Sequence, residues 1–169
     1  AQIALSLRGQ RTAGLIRVVP ESRLVELAEP MGVVASIIPV TNPTSTPIFK
    51  ALICAKGRNA CVVAPHPRAL RCGQATVEVL SRAAEAAGAP RDLVTCVEHS
   101  SIDGTTALME DRRVQVVLAT GGLGLVRAAY RSGKPSYGVG PGNVPVWVDR
   151  SCADLVKAVT QRARCGAAQ

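Results

Sequence analysis

Short apolar runs rich in β-branched residues alternate with alanine-rich stretches along the chain from Gly32 onward. The junctions between them carry glycine, proline, asparagine or aspartate, which are residues that end strands and begin helices. This alternation is typical of βαβ units, in which crossover helices join parallel strands. The sequence therefore predicts an α/β fold with a Rossmann-like open parallel sheet flanked by helices.

The apolar runs give the bounds of the predicted elements. The run over residues 33–39 is typical of a strand that is covered on both faces. Further strands are predicted at residues 60–64, 93–97, 114–119, 134–139 and 145–148. Helices are predicted at residues 44–56, 67–87, 101–110, 124–131 and 153–162. Ahead of the sheet, residues 14–19 and 23–28 are predicted to form an antiparallel pair that turns at residues 20–22.

The net charge of +8 raises the question of nucleic-acid binding. The basic residues are spread along the chain, and the four aromatic residues do not form a stacking set. We therefore predict no nucleic-acid partner, and interpret the charge as a solvated arginine-rich surface or as a field that attracts anionic cofactors. The six cysteines have neither metal-ligand spacing nor the density of a disulfide scaffold, which predicts no metal site and favours free thiols in a reducing compartment.

The sequence has neither a signal-peptide pattern nor an apolar run long enough to span a bilayer. We therefore predict a soluble cytoplasmic protein without a membrane partner.

The first candidate site follows the first predicted strand, at Pro39. Hydroxyl and amide donors are concentrated there, at Thr41, Asn42, Thr44, Ser45 and Thr46. At the carboxyl edge of a parallel sheet, such donors and the free N–H groups of a helix N-terminus suit a phosphate or a developing oxyanion. The alternative is a helix cap with a proline turn, since threonine and asparagine are favoured there for local reasons.

A second candidate site follows the next strand, at Pro65, His66, Pro67 and Arg68. In many NAD-binding folds an acidic residue near this point binds the adenosine ribose, and this segment has none. His66 and Arg68 offer donors and positive charge instead, which would suit an adenosine that carries a phosphate. The alternative is a helix start with an exposed arginine.

Glycines define two further candidate segments. Thr120, Gly121, Gly122 and Gly124 lead from a strand into a helix, where a missing Cβ lets the backbone approach a nicotinamide or a pyrophosphate. This segment departs from the G-x-G-x-x-G pattern, and a tight turn would also favour glycine.

The second glycine segment, residues 138–145, contains Gly140 and Gly142. It is predicted to be a loop shaped around a ligand or a neighbouring backbone, with a structural turn as the alternative.

Taken together, these segments resemble the CoA-acylating aldehyde dehydrogenases, a group that includes acetylating acetaldehyde, propionaldehyde and sulfoacetaldehyde dehydrogenases and the aldehyde half of bifunctional aldehyde-alcohol dehydrogenases. The resemblance extends over residues 11–149. It rests on residues 29–33, 38–46, 56–60, 65–69, 118–122 and 132–143.

The resemblance implies a reaction in which an aldehyde, NAD+ and coenzyme A give acyl-CoA and NADH through a thioester on a cysteine. Thr41 and Asn42 would support the oxyanion, and the other candidate residues would bind NAD, with CoA as co-substrate. Hydrolytic relatives carry a water-activating glutamate in the segment that resembles residues 137–143. This segment has no carboxylate, which favours CoA as the acyl acceptor.

The resemblance also implies a division of the chain. Residues 1–30 would be the strand pair of an oligomerisation region, and residues 31–169 the NAD-binding domain. It further implies a homo-oligomer at full length, in the cytoplasm or within a bacterial microcompartment.

The cysteine nucleophile of the family is expected beyond this chain. Its usual context, a Phe-Asp-Asn-like stretch, does not occur before Gln169, and Cys165 lies too early. The alternative function is that of a catalytically inactive nucleotide-binding or assembly module.

Overall fold

A five-stranded parallel sheet with helices on both faces forms most of the protein. The computed structural model describes residues 2–142, 147–149, 151–154, 156, 157, 159 and 160. The strands are β1 (Gly14–Val19), β2 (Leu24–Ala28), β3 (Val33–Ile38), β4 (Ala60–Pro65), β5 (Val94–Cys96), β6 (Val114–Thr120) and β7 (Ser136–Val139). The helices are α1 (Gln2–Leu7), α2 (Ser45–Lys56), α3 (Leu70–Ala86), α4 (Ile102–Glu110) and α5 (Leu123–Arg131). The predicted α/β fold is confirmed.

The strand order of the sheet is β5-β4-β3-β6-β7, and all of its neighbouring strands are parallel. From β3 the chain proceeds outward through β4 to β5, then returns to the other side of β3 as β6. The connections after β3 and β6 therefore diverge, and a crevice opens between them at the carboxyl edge. In doubly wound folds this crevice is the place where ligands bind.

Two apolar clusters cover the two faces of the sheet. One contains Val34, Ile38 and Val63 with Cys54 and Cys61, and it is covered by α2 and α3. The other packs Ile37, Val117 and Ala119 against Met109 and Ala129. Cys54 and Cys61 are thus core residues. The five cysteines within the described residues are free thiols.

The strand pair at the N-terminal end is antiparallel and separate from the large sheet. A short 3₁₀ turn, Pro20–Ser22, joins its strands, so the predicted pair and its turn are confirmed. Arg17 and Glu26 form an ion pair at 2.6 Å across it. Two apolar pairs lie across the strands, Leu15 with Leu27 and Val18 with Val25. Each of these four residues is between 47% and 65% exposed. The pair therefore presents apolar surface that the described residues leave uncovered.

Some element bounds differ from the prediction. The helix predicted to begin at Pro67 starts with a 3₁₀ turn, Pro67–Ala69, and becomes α-helical only at Leu70. The expected strand at 145–148 is not seen at residues 147 and 148, and its first two residues lie outside the described part. Of the helix predicted at 153–162, residues 156, 157, 159 and 160 are helical, residues 153 and 154 are not, and the others lie outside. Helix α1 was not predicted.

Among the described residues, no helix is long and apolar enough to cross a membrane.

Candidate functional site

A cleft of about 1040 Å³ lies at the carboxyl edge of the sheet. Its walls are the segments that follow β3, β4, β6 and β7, together with the first turns of α4 and α5. This volume is at the upper end of the range of small-molecule and cofactor pockets. The crevice predicted from the strand order is therefore an open, ligand-sized site.

Most of the predicted site residues meet in this cleft. Those that line it are Pro39, Thr41, Asn42, Pro65, His66, Pro67, Thr120, Gly121, Gly122, Gly124, Gly140 and Gly142. They come from four separate segments of the sequence. Arg68 and the candidate donors Thr44, Ser45 and Thr46 do not contribute to the lining.

The Thr41–Asn42 segment turns from β3 into α2 with both residues exposed. The backbone carbonyl of Asn42 accepts from the N–H of Thr46 at 3.3 Å. No described residue is hydrogen bonded to the side chain of Asn42, and Thr44, at the N-cap position, makes no side-chain cap bond. Local capping therefore does not account for the Asn42 amide, which is free to donate into the cleft.

His66 has a local role that the other candidate residues lack. Its Nδ1 accepts from the backbone N–H of Arg68 at 3.2 Å and caps the 3₁₀ turn. Nδ1 is thus an acceptor, and Nε2 carries the proton when the ring is neutral. His66 therefore does act at a helix start, as in the alternative stated for this segment, while Nε2 remains available to a ligand. Arg68 lies beside it with its side chain outside the cleft lining.

The glycine segment after β6 leaves room for a ligand. An added Cβ at Gly122 or Gly124 would meet nothing within 4 Å, and at Gly121 it would meet the end of the Leu125 side chain at 2.7 Å. The N–H of Gly121 donates to Val139 O at 3.1 Å, which holds the segment against β7. The space beside Gly122 is therefore open to a bound molecule.

The N-terminal turn of α4 forms a wall of the cleft that sequence reasoning missed. Ser100, Ser101 and Ile102 line it. Ser100 Oγ donates to the carbonyl of Pro65, and Ser101 Oγ accepts from Gly104 N–H at 2.9 Å. Both serines follow β5, so the rule that ligands bind after parallel strands would have found them. Further along α4 and α5 the wall is formed by Thr105, Thr106, Met109, Leu125 and Ala128.

Lys50 was also missed, and its side chain reaches the ends of β3 and β6. Its side chain is buried, and Nζ donates to the carbonyls of Ile37 at 2.8 Å and Leu118 at 2.7 Å. Burial lowers the pKa of Lys50 to about 8. The nearby thiols of Cys61 and Cys54 act in the opposite direction and raise this pKa. A lysine in an amphipathic helix is normally exposed, so nothing in the sequence indicated this placement.

The sequence and fold match those of a known family. The aldehyde dehydrogenase family model matches residues 1–165, so the chain belongs to that family. Among the solved structures, an acetylating aldehyde dehydrogenase from Geobacillus thermoglucosidasius superposes with a TM-score of 0.83 at 51% sequence identity. The match covers 94% of this chain and 35% of that one. The predicted resemblance to acylating members is confirmed.

Two further relatives belong to the same group. The bifunctional aldehyde-alcohol dehydrogenase AdhE of Escherichia coli is 44% identical over 152 residues, which cover 90% of this chain and 17% of AdhE. A propionaldehyde dehydrogenase from Rhodopseudomonas palustris, solved with bound CoA and an acylated cysteine, matches at 38% identity and a TM-score of 0.66. That match covers 68% of this chain and 26% of that one. The chain thus spans between a sixth and about a third of these relatives.

Proposed function

We propose that the cleft binds NAD(H), as the cofactor-binding portion of an enzyme that converts an aldehyde, CoA and NAD+ to acyl-CoA and NADH. The observation that carries this proposal is the cleft between β3 and β6, where the strand order reverses direction. The Thr41–Asn42 donors follow β3 on one side of it, and the open backbone at Gly122 follows β6 on the other. Family membership supplies the reaction class.

The residues of the cleft fit a dinucleotide. Adding a Cβ at Gly122, Gly124 or Gly142 would fill space that is now empty, as expected where a cofactor approaches the backbone closely. The half-buried apolar side chains of Leu125 and Ala128 line the cleft and offer contacts to an adenine ring. NAD+ accepts a hydride when bound, while the amide of Asn42 would donate to the oxyanion of the reacting aldehyde carbon.

Replacing Gly122 by valine should weaken NADH binding at least tenfold, about 1.4 kcal/mol, because the branched side chain would occupy the cofactor space. The fold should be retained, since a Cβ at this position meets no neighbouring atom. Calorimetric titration of the wild type, Gly122→Ala and Gly122→Val measures this, and the alanine variant should lie between the other two. Equal affinity in all three would refute the placement of the cofactor beside Gly122.

CoA is proposed to share this cleft with NADH, in agreement with the CoA bound to the R. palustris relative. Arg68, next to the cleft, would meet the ribose phosphate of CoA through a charge-assisted contact that contributes about 1.5–3 kcal/mol. CoA should therefore displace NADH in a competition titration. Arg68→Ala should weaken CoA more than NADH, whereas Arg71→Ala, an exposed arginine on α3, should change neither affinity. If CoA does not compete at any concentration, the shared site is wrong although NAD binding can stand.

We propose that the strand pair belongs to an oligomerisation region, with residues 31–169 as the NAD-binding domain. The exposed apolar pairs of Leu15 with Leu27 and Val18 with Val25 support this, because such surface is typical of an interface. The occupant we propose is a second copy of the protein, and sedimentation of the protein at increasing concentration tests it. Location in the cytoplasm, within or outside a bacterial microcompartment, stays a prediction from the family resemblance.

A further inference from the structure

The side chain of Lys50 connects the two central strands of the sheet at the point where the strand order switches. Its Nζ donates to Ile37 O of β3 at 2.8 Å and to Leu118 O of β6 at 2.7 Å. Ile37 lines the cleft and is one residue from the end of β3, and Leu118 is two residues from the end of β6. The ammonium group therefore lies between the ends of the two strands that lead into the main ligand-facing segments of the cleft.

We infer that Lys50 is a positioning residue, which holds the ends of β3 and β6 together and so sets the spacing between the Thr41–Asn42 segment and the glycine segment. The inference rests on the proposed function, since it concerns the binding of the same dinucleotide.

Stability alone does not favour a lysine at this position. The side chain is only 5% exposed, and an ammonium group that leaves water incurs a large desolvation cost unless it is well paired. Two carbonyls provide the hydrogen bonds, but no carboxylate of the described residues forms an ion pair with it. A methionine of similar length would avoid this cost. The buried charge is therefore better explained by a role in positioning the strand ends that lead into the cleft.

The positive charge of Lys50 also contributes to the binding of NADH. NADH carries two negative charges on its pyrophosphate, and a buried cation at the ends of β3 and β6 attracts them through a medium of low polarity. Burial lowers the pKa of Lys50 to about 8, so this charge is present below pH 8 and lost above it. The titratable groups that face it are the thiols of Cys54 on α2 and Cys61 on β4.

Lys134 offers a matched control. Its Nζ donates to the carbonyls of Asp111 and Val114, so it too links backbone segments through two hydrogen bonds. Val114 is the first residue of β6, and Lys134 therefore lies at the amino edge of the sheet, opposite the cleft. A substitution of Lys134 removes the same kind of contact without touching the proposed binding site.

The test compares Lys50→Met with Lys134→Met in the full chain, by chemical unfolding and by NADH titration. Both variants should change the free energy of unfolding. Only Lys50→Met should raise the Kd for NADH, by about tenfold, which corresponds to ~1.4 kcal/mol. Unchanged NADH affinity in a folded Lys50→Met protein would overturn the inference and leave the proposed function intact. Failure of the wild type to bind NADH would instead overturn the proposed function.

A second measurement applies even if Lys50→Met does not fold. The Kd of the wild type for NADH should rise several-fold as the pH increases through 8, because Lys50 loses its proton there. A rise should also occur in Cys61→Ala, which excludes that thiol as its source, but at a lower pH because Cys61 raises the pKa of Lys50. A role limited to stability predicts a constant Kd from pH 7 to pH 9, and this result would contradict the inference.

Discussion

Replacing Asn42 by alanine is expected to lower the turnover of an acylating dehydrogenase that contains this chain by about a hundredfold or more, on the order of 3 kcal/mol. The Asn42 side chain lines the cleft and is not hydrogen bonded to any described residue. A donor of this kind contributes most when negative charge develops on the reacting oxygen.

The affinity for NADH serves as an internal control in the same protein. An oxyanion donor acts on the reacting aldehyde, so Asn42→Ala should change the Kd for NADH far less than it changes kcat. Steady-state kinetics with a short aldehyde and CoA, together with an NADH titration, separate the two effects. Equal turnover in the variant and the wild type would show that Asn42 is only a structural residue of the turn after β3.

Replacing Gly73 by alanine should reduce the free energy of unfolding by roughly 1–3 kcal/mol, the usual cost of overpacking. Gly73 is buried in α3, and an added Cβ would lie 2.4 Å and 2.8 Å from two carbons of the Pro65 ring. That ring is fixed at the end of β4 and cannot move aside cheaply. The gain in helix propensity from glycine to alanine, at most about 1 kcal/mol, does not offset this contact.

The matched control for this prediction is Gly124→Ala. Gly124 is also helical, but a Cβ there would meet nothing within 4 Å, so the substitution should be neutral or slightly stabilising. Chemical unfolding of both variants measures the difference. Because Pro65 lines the cleft, Gly73→Ala should also weaken NADH binding. If both substitutions leave stability unchanged, the close approach of α3 to β4 is wrong.

Much of the fold could be predicted because each strand is an apolar run that ends at a glycine, a proline or a polar cluster. The site segments could be located from the rule that parallel strands expose their carboxyl ends to ligands. This rule places Thr41 and Asn42 after β3, and the glycines after β6, at the edge where a ligand binds. The short helix α1 has no acidic residue in its first turn and no basic residue in its last, and six residues form too short a helix to give a periodic pattern.

Other features depend on tertiary contacts that a sequence pattern does not contain. The helix after β4 begins with a 3₁₀ turn because Nδ1 of His66 accepts the N–H of Arg68, a geometry that the Pro-His-Pro-Arg sequence does not specify. Lys50 is buried because two carbonyls from strands distant in sequence meet at its position. Ser101 was predicted only as the start of a helix, and the contact of Ser100 with Pro65 depends on the adjacency of β4 and β5.

Backbone amide chemical shifts during an NADH titration show whether the crevice between β3 and β6 binds a dinucleotide. Saturable shift changes are expected at Thr41, Asn42, Gly122 and Ser101, which surround the cleft. The amides of the strand pair, such as that of Val25, should not move. Shift changes that do not saturate, or that are confined to the strand pair or to the amino edge of the sheet, would show that the dinucleotide does not bind in this crevice.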